Sequence, residues 1–179
     1  MQLARPLPLI CAAVILGVAV FIGTRSLVIQ QAPIRVMSHI ETLIAERAGG
    51  WNTCSHDRDY GPGPDALARA NPDSIVSLMA YDLSNGPIRV SGETWPEYWS
   101  LSLYQQNSDN FFVVNDRELE KPTFNYVIGS KDNSDTFDDR NLIKSPSQKG
   151  IMIIRRFAKG ATDMPAILKN QDTMYCGPS

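Results

Sequence analysis

The residue types that could support acid-base or metal chemistry come together once, at His56-Asp57-Arg58-Asp59. Carboxylates that are adjacent in sequence usually point in different directions, whereas a catalytic or metal site needs groups that converge. The other histidine, His39, stands apart from any cysteine or carboxylate cluster that could complete a metal-binding set. We therefore predict that residues 56–59 form a solvated charged loop and that neither histidine is a metal ligand.

A second acidic segment, residues 131–139, resembles a calcium-binding loop in composition only. It lacks the glycine that makes the sharp turn of such a loop and the glutamate that closes it, so we predict a solvated hairpin tip. The chain also contains no Gly-x-Ser-x-Gly motif and no Gly-rich phosphate loop after a strand. These observations predict no catalytic residue, no metal and no cofactor, and they favour a protein that is not an enzyme.

Polar and aromatic side chains share several predicted strands and could line a ligand site. Aromatic residues on one face of a sheet can form a concave pocket, but strand aromatics more often belong to the core. Both interpretations stay open for the candidate ligand or partner surface, which consists of Asn71, Asp73, Tyr81, Asp82, Trp99, Tyr104 and Asn115.

Three cysteines occur, and Cys11 lies in an apolar run near the N-terminus. Cys54 and Cys176 are the remaining pair. In an oxidising compartment they could form a disulfide that closes most of the soluble part into a loop, for which chain entropy predicts about 4 to 5 kcal/mol of stabilisation. Two buried free thiols are the alternative.

The elements that must position these residues begin with an uncharged apolar run, Leu7–Gly23, between Arg5 and Arg25. With its flanks the run is at the short end of the roughly 17 to 25 residues that a membrane-spanning helix needs. It is longer than the apolar part of a cleavable signal peptide, and no clear small-x-small cleavage site follows it. We therefore predict a retained anchor over residues 1–29, with the N-terminus inside and the larger body exported.

Residues 30–179 are predicted to form a single domain. Apolar residues recur at three- and four-residue intervals over residues 32–50, which predicts an amphipathic helix. Pro33 fits its first turn and Gly49-Gly50 its end. The polar pair Gln30-Gln31 is predicted to be a short link between this helix and the anchor.

Short segments that alternate or concentrate apolar residues between turn signals then predict about seven strands. The turn Ser84-Asn85-Gly86-Pro87 predicts a hairpin between the first two of them. The segments are residues 74–83, 88–91, 98–104, 110–115, 124–129, 141–144 and 151–157. Strands in such quick succession favour a mainly β fold, an antiparallel sandwich or open barrel with flanking helices, over alternating strand-helix units.

Two further segments flank the predicted strands. Residues 51–71 are rich in glycine and proline, which predicts an irregular loop with a short helical turn at residues 65–70. A closing helix is predicted to start at Asp163 as its N-cap, with Pro165 in its first turn.

Charge excludes one class of partner. Charged residues make up 20% of the chain and the formal net charge is -2. Because there is no basic excess to attract phosphate groups, nucleic-acid binding is disfavoured.

Several stretches are similar to DUF1254, a bacterial family of unknown function. They are residues 71–74, 81–87, 98–104, 110–117, 144–147 and 150–155, and the resemblance extends over residues 34–172. It implies a periplasmic β-rich domain behind a single membrane helix. In larger members a second module, DUF1214, follows on the same chain, so the short form implies a separate DUF1214-like chain as a non-covalent partner. The family has no established catalytic residues, and none is assigned here.

Two functions therefore compete. The first is a single-pass protein of the bacterial inner membrane that pairs, without catalysis, with a separate β-module chain, and a missing half predicts exposed apolar surface. The alternative is a periplasmic small-ligand binder or hydrolase that uses Asp73, Asp82 and nearby aromatic residues. A closed polar and aromatic pocket would favour the binder, whereas a broad apolar face would favour the interaction subunit.

Overall fold

The computed structural model describes residues 7–61, 71, 73–130 and 141–179. Two predictions lie outside these ranges, namely the helical turn at residues 65–70 and the hairpin tip at residues 131–139. The described residues form a long N-terminal helix, two β-sheets and a short helix near the C-terminus. The predicted mainly β fold with flanking helices is confirmed.

Helix α1 is continuous over Leu7–Ala48, 42 residues with a length of about 63 Å. The predicted anchor and the predicted amphipathic helix are therefore one element, and the prediction of a separate link at Gln30-Gln31 is wrong. Glutamine is a good helix former, so this polar pair does not interrupt the helix. Pro33 lies inside α1 rather than in a first turn.

The two halves of α1 have different surroundings. Every described side chain from residue 8 to residue 32 is exposed, whereas Met37, Ile44 and Ala45 are buried against the β-sheets. Among the described residues, α1 is the one helix that is long and apolar enough to span a membrane. It ends after Ala48 as predicted, where Gly49 has a φ of 78°, a conformation that glycine adopts without strain.

Nine strands occur in the described residues. In chain order they are β1 Ser55–His56, β2 Ser74–Asp82, β3 Ile88–Glu93, β4 Trp99–Gln105, β5 Asn110–Asn115, β6 Thr123–Ser130, β7 Leu142–Ser145, β8 Lys149–Phe157 and β9 Tyr175–Pro178. The predicted strands all reappear with small shifts at their ends. β1 and β9 were not predicted, because β1 has only two residues and β9 contains Gly177 and Pro178, which disfavour a strand.

Sheet A has the strand order β1-β2-β8-β4-β5, and sheet B has the order β7-β6-β3-β9. All neighbouring strands are antiparallel except β6 and β7, which are parallel. Alternate residues of β2 point to opposite sides of sheet A: Met79 and Tyr81 belong to the main core, and Ala80 belongs to a second cluster with α1. Sheet A is therefore the middle layer, between sheet B and α1.

The prediction of a hairpin at residues 84–87 is wrong, because the strands before and after this turn do not pair with each other. The turn exists, and the Gly86 N–H donates to the Leu83 carbonyl at 3.2 Å, but β2 and β3 belong to different sheets. β2 instead pairs with β8 along its whole length, from Ser74 opposite Phe157 to Asp82 opposite Lys149. A turn signal predicts that the chain reverses, but it does not predict which sheet receives the next strand.

Helix α2 covers Met164–Gln171 and follows a 3-10 turn at residues 161–163. Pro165 lies in its first turn, as predicted. Asp163 occupies the N-cap position, but its carboxylate makes no capping bond to α2 and accepts instead from the Lys159 N–H at 2.8 Å. Ile167 is fully buried in the main core, which fixes α2 against the sheets.

Cys54 and Cys176 form a disulfide across 122 residues of chain, with their Cα atoms 5.7 Å apart. Cys54 directly precedes β1 in sheet A, and Cys176 lies in β9 at the edge of sheet B. The bond therefore joins the segment after α1 to the C-terminal strand. Cys11 is a free, exposed thiol on α1.

We predict that replacing both Cys54 and Cys176 by serine lowers the free energy of unfolding of the β-domain by about 3 kcal/mol, because the unfolded chain regains the freedom of a long loop. Urea titrations of the full chain in detergent, followed by tryptophan fluorescence, would measure the change. Cys11→Ser is the control and should leave the midpoint unchanged. Equal midpoints for all three proteins, or free-thiol labelling of Cys54 and Cys176 before reduction, would contradict the prediction.

Candidate functional site

The seven residues of the candidate surface do not form one cavity. Tyr81 and Trp99 are fully buried in the main core between the sheets, as the core alternative predicts. Trp99 stacks on Phe124 with ring centroids 5.7 Å apart. These aromatic residues hold the two sheets together and have no exposed surface to offer a ligand.

Tyr81 also fixes the local strand geometry. Its hydroxyl group lies 3.1 Å from the Ser145 hydroxyl and donates to the Tyr104 carbonyl at 3.1 Å. A Cβ at Gly150 would clash with the Tyr81 phenol and with the Tyr104 carbonyl oxygen, so this close approach requires glycine. Burial raises the pKa of Tyr81 to about 12, so the phenol stays protonated at neutral pH.

Asn71, Asp73 and Asn115 serve local turns. The Asp73 carboxylate accepts from the Tyr60 hydroxyl at 2.8 Å, and the Asp73 N–H donates to the Asn71 side chain at 3.1 Å. Asn115, at the end of β5, accepts from the Arg117 N–H at 2.9 Å. The two contacts with backbone N–H groups are typical of Asx turns. In sheet A, Asn115 is opposite Ser100, and Ser74, next to Asp73, is opposite Phe157, at the other end of the strands from Tyr104 and Asp82.

Asp82 belongs to a polar group where α1 meets sheet A, which we call the junction cluster: Glu41, Trp51, Asn52, Asp82 and Lys149. Lys149 pairs with the Asp82 carboxylate at 3.2 Å and lies 4.4 Å from the centroid of the Trp51 ring. The Asn52 side chain donates to the Asp82 carbonyl at 2.9 Å and accepts from the Asp82 N–H at 2.7 Å. The cluster therefore attaches the chain after α1 to the end of β2.

Two features indicate that the junction cluster has a structural role. Asn52 has a φ of 61°, a left-handed conformation that asparagine tolerates better than most residues. Burial raises the pKa of Asp82, but hydrogen bonds from Ser84 and the ion pair with Lys149 outweigh it, so the net pKa is lowered. Asp82 is thus a carboxylate at neutral pH with its oxygens engaged, and it is a poor candidate for a general acid or base.

Glu41 is the exception within the junction cluster. It lies on α1, is only 1% exposed, and its Oε1 atom has no hydrogen-bond partner. The residues packed nearby in the second core cluster are apolar, including Met37, Ala80 and Ile151. A buried carboxylate oxygen without a partner carries a desolvation cost. Burial raises the pKa of Glu41, although the charge of Lys149 acts to lower it.

A second polar network lies at the far end of β8, around Arg156. Arg156 is 1% exposed and donates to Asn170 at 2.5 Å, to Ser77 at 2.9 Å and to the Met174 sulfur at 3.0 Å. These three partners are uncharged, and burial lowers the pKa of Arg156 to about 10. The guanidinium stays charged at neutral pH and connects β2, β8 and α2.

His56 extends this network, and the prediction of a solvated loop at residues 56–59 is wrong for this residue. His56 lies in β1, is half-buried, and its Nδ1 atom is 2.8 Å from the Ser77 hydroxyl. Arg156 donates to the same Ser77 hydroxyl, so Ser77 joins His56 to the Arg156 network. Burial and then the charges of Arg58 and Arg156 lower the pKa of His56 to about 4.

The two residues after His56 pair with different elements. Asp57 pairs with Arg47 of α1 at 2.6 Å, and Arg58 pairs with Asp172 after α2 at 2.9 Å. Sequence reasoning missed the network because Ser77, Arg156 and Asn170 lie far from His56 along the chain. The one available signal was an arginine at an inward position of the apolar strand at residues 151–157.

The chemistry open to these groups is limited. Ser77 is fully buried, so the His56-Ser77 pair cannot present a nucleophile to a substrate. No group of three or more His, Cys, Asp or Glu side chains that could hold a metal occurs in the part of the chain that the structure describes.

A shallow open depression is present at the end of α1, lined by Thr42, Ala45, Glu46, Gly49, Gly50 and Trp51.

The fold and these clusters define a β-sandwich mounted on a long apolar helix, with its polar groups used to join elements. The family model "Protein of unknown function (DUF1254)" matches residues 51–178. The chain therefore belongs to the DUF1254 family. None of the curated proteins compared with it matches.

Two solved structures are similar. The crystal structure of the VPA0106 protein from Vibrio parahaemolyticus is 15% identical with a TM-score of 0.55, and the match covers 63% of this chain and 29% of that one. A putative uncharacterised protein from Burkholderia cenocepacia is 12% identical with a TM-score of 0.46, over 78% of this chain and 38% of that one. The Vibrio structure supports the fold alone, and this chain matches about a third of each relative's length.

We predict that His56 makes the domain less stable in acid. Its pKa is about 4 when folded and about 6.5 when unfolded, so folding favours the neutral form. The contribution of neutral His56 to the free energy of unfolding is complete above pH 6.5 and is lost as the pH falls towards 4. Allowing for solvent screening of a half-exposed group, it amounts to about 1 kcal/mol.

Urea unfolding at a series of pH values would measure this effect. His56→Gln should flatten the slope of stability against pH between 4 and 6.5, whereas His39→Gln, a change at the exposed histidine of α1, should keep the wild-type slope. The same slope in wild type and His56→Gln would contradict the assignment.

We also predict that Glu41→Gln raises the free energy of unfolding at neutral pH, by about 1 kcal/mol, because a neutral amide costs less to bury than a carboxylate with a free oxygen. Thermal unfolding in detergent would detect it. Glu46→Gln, at an exposed position on the same helix, is the matched control and should have little effect. A loss of stability in Glu41→Gln alone would show that the carboxylate contributes favourably to the junction.

Proposed function

We propose that this protein is a single-pass inner-membrane protein whose β-rich domain lies in the periplasm and acts as a non-catalytic interaction subunit. The observation that carries the proposal is the continuity of α1. Its first half is apolar and exposed on all sides, and its second half is packed against sheet A. A helix of this kind needs lipid around one end and holds the domain at the other.

The apolar half has the dimensions of a membrane segment. The uncharged run Leu7–Gly23 extends about 26 Å as a helix, close to the roughly 30 Å of a bilayer core. Side chains such as Leu9 and Phe21 are 76% and 65% exposed, which is costly in water and favourable in lipid. Arg25 follows the run, and a long arginine side chain can reach the headgroup region from there.

The disulfide supports an exported domain. Bonds between cysteines persist in oxidising compartments such as the bacterial periplasm and are rare in the cytosol. The bond between Cys54 and Cys176 lies in the β-domain, so that domain is the part of the chain expected outside the cytosol. A short N-terminal tail then remains inside.

The non-catalytic role is supported by what the polar groups already do. Arg156 and Ser77 are buried within a structural network, and Asp82 is held by Ser84 and Lys149. These three side chains are therefore engaged in contacts within and between β2, β8 and α2.

The proposed partner is a separate β-rich chain. The proposal rests on the resemblance to larger DUF1254 proteins, in which a DUF1214 module follows on the same chain. Outside α1, the exposed large apolar residues in the described part of the chain are Tyr60, Tyr98, Val113 and Tyr175. The broad apolar face expected of an interaction subunit is therefore not seen on the described part of the body.

Membrane fractionation tests the anchor and its orientation. The full chain should stay in membranes after a carbonate wash, and protease added to spheroplasts should digest the β-domain while an internal cytosolic marker survives. Solubilised in mild detergent, a tagged chain should then elute with a second β-rich chain that is absent from eluates of an unrelated tagged single-pass protein. Release of a protein clipped after residue 23 would contradict the anchor, and a partner-free eluate would contradict the interaction role.

A further inference from the structure

The contact between α1 and the β-domain is separate from the main core. Its buried side chains are Met37, Ile44 and Ala45 of α1 and Ala80 and Ile151 of sheet A. The main core, between the two sheets, is built from a different set of residues. Separation of α1 from sheet A would therefore leave the packing between the sheets intact. A local opening of this kind costs less free energy than unfolding of the whole domain.

The chain that joins α1 to the β-domain has the properties of a hinge. Gly49 and Gly50 follow the last residue of α1, and a Cβ at either position would meet no atom closer than 3.9 Å. Asn52, two residues further on, is already bonded to Asp82 of β2, and the disulfide at Cys54 lies beyond it. Two loosely packed glycines between α1 and these attachments can absorb a large change of φ and ψ.

Glu41 places a titratable group inside the contact. It is 1% exposed, and its Oε1 atom has no hydrogen-bond partner. The groups that act on its charge come from both strands next to α1: Lys149 of β8, and Asp82 and Tyr81 of β2. Lys149 attracts a carboxylate at Glu41 but is paired with Asp82, which repels it, and the Tyr81 phenol is protonated. Burial has the largest effect, so the pKa of Glu41 is raised while α1 is docked.

The ionisation of Glu41 therefore changes the strength of docking. A protonated carboxyl group costs less to bury than a carboxylate, which is hydrated once α1 separates from the sheet. Because docking raises the pKa, the docked state gains stability as the pH falls and loses it as the pH rises through that pKa. The Arg47-Asp57 pair also joins α1 to the β-domain, but both side chains are largely exposed, so it contributes little.

We infer that α1 and the β-domain form a pH-sensitive hinge, which is docked when Glu41 is protonated and opens about Gly49-Gly50 when Glu41 is ionised. The structure shows the docked state. Opening uncovers Ala80 and Ile151 on the face of sheet A that α1 covers. The hinge uses residues of this chain alone, so the inference does not depend on a partner or on the compartment that holds the domain.

Labelling of thiols placed in the contact measures the opening. In a Cys11→Ser background, Ala45→Cys and Ala80→Cys place small side chains at buried positions on its two sides. Each labelling rate is divided by that of Thr42→Cys, an exposed position on α1, because this removes the effect of pH on the thiol itself. For the full chain in detergent, both normalised rates should fall about fivefold from pH 8 to pH 5.

Three further variants show which group and which opening are responsible. Glu41→Gln should slow labelling of the contact at pH 8 and abolish its dependence on pH, whereas Glu46→Gln, at an exposed position of α1, should keep that dependence. Ala158→Cys, in the main core, reports unfolding of the β-domain. It should label more slowly than the contact thiols and should not slow in acid, because protonation of His56 destabilises the domain there.

Normalised rates at residues 45 and 80 that stay constant or rise between pH 8 and pH 5 would overturn the inference. So would the wild-type dependence on pH in Glu41→Gln, or labelling of the contact no faster than labelling at residue 158. Either contact thiol is sufficient for the measurement, so a folding defect in one variant leaves the other to decide.

Discussion

The structure depends on one constraint: a helix that is apolar on every side at one end is continuous with the helix that packs on the β-domain at the other. The exposed side chains from residue 8 to residue 23 are uncharged and mostly apolar, which favours a nonpolar solvent around them. Met37, Ile44 and Ala45 require the sheet. Because no break separates these two regions, whatever fixes the first half of α1 also fixes the position of the sandwich.

Charged and polar side chains of the sandwich join its strands to each other and to α2. The Lys149-Asp82 pair and Asn52 hold the chain after α1 on the end of β2. At the other end of β8, Arg156 connects Ser77 of β2 to Asn170 of α2. Removing a partner of Arg156 would leave part of a buried guanidinium without a hydrogen bond, which costs more than an ordinary hydrogen bond contributes. The disulfide adds a covalent link from the β1 side to sheet B.

Local patterns predicted much of the fold from the sequence. The Asn110–Asn115 strand and the Pro165 helix start depend on nearby residues, and both were predicted correctly. The pairing of β2 with β8 spans 67 to 83 residues of chain, and that of β3 with β6 spans 30 to 40. Periodicity contains no information on contacts at these separations. Likewise His56 looked solvated because its partners Ser77 and Arg156 are distant in sequence. Asp82 was named as a candidate for binding, and its role as an attachment point depends on Lys149, which only the β2-β8 register brings close.

Continuity through residues 24–36 also makes α1 a mechanical lever. About 28 Å of helix separates Ile29 from Ala48, and transmembrane helices tilt by about 20° on average to match the thickness of their bilayer. Such a tilt displaces the far end sideways by about 10 Å. In the proposed membrane setting, a helix that stays straight through Pro33 would carry the sandwich sideways when the lipid thickness changes, so the composition of the bilayer would help to set which neighbours the domain can reach.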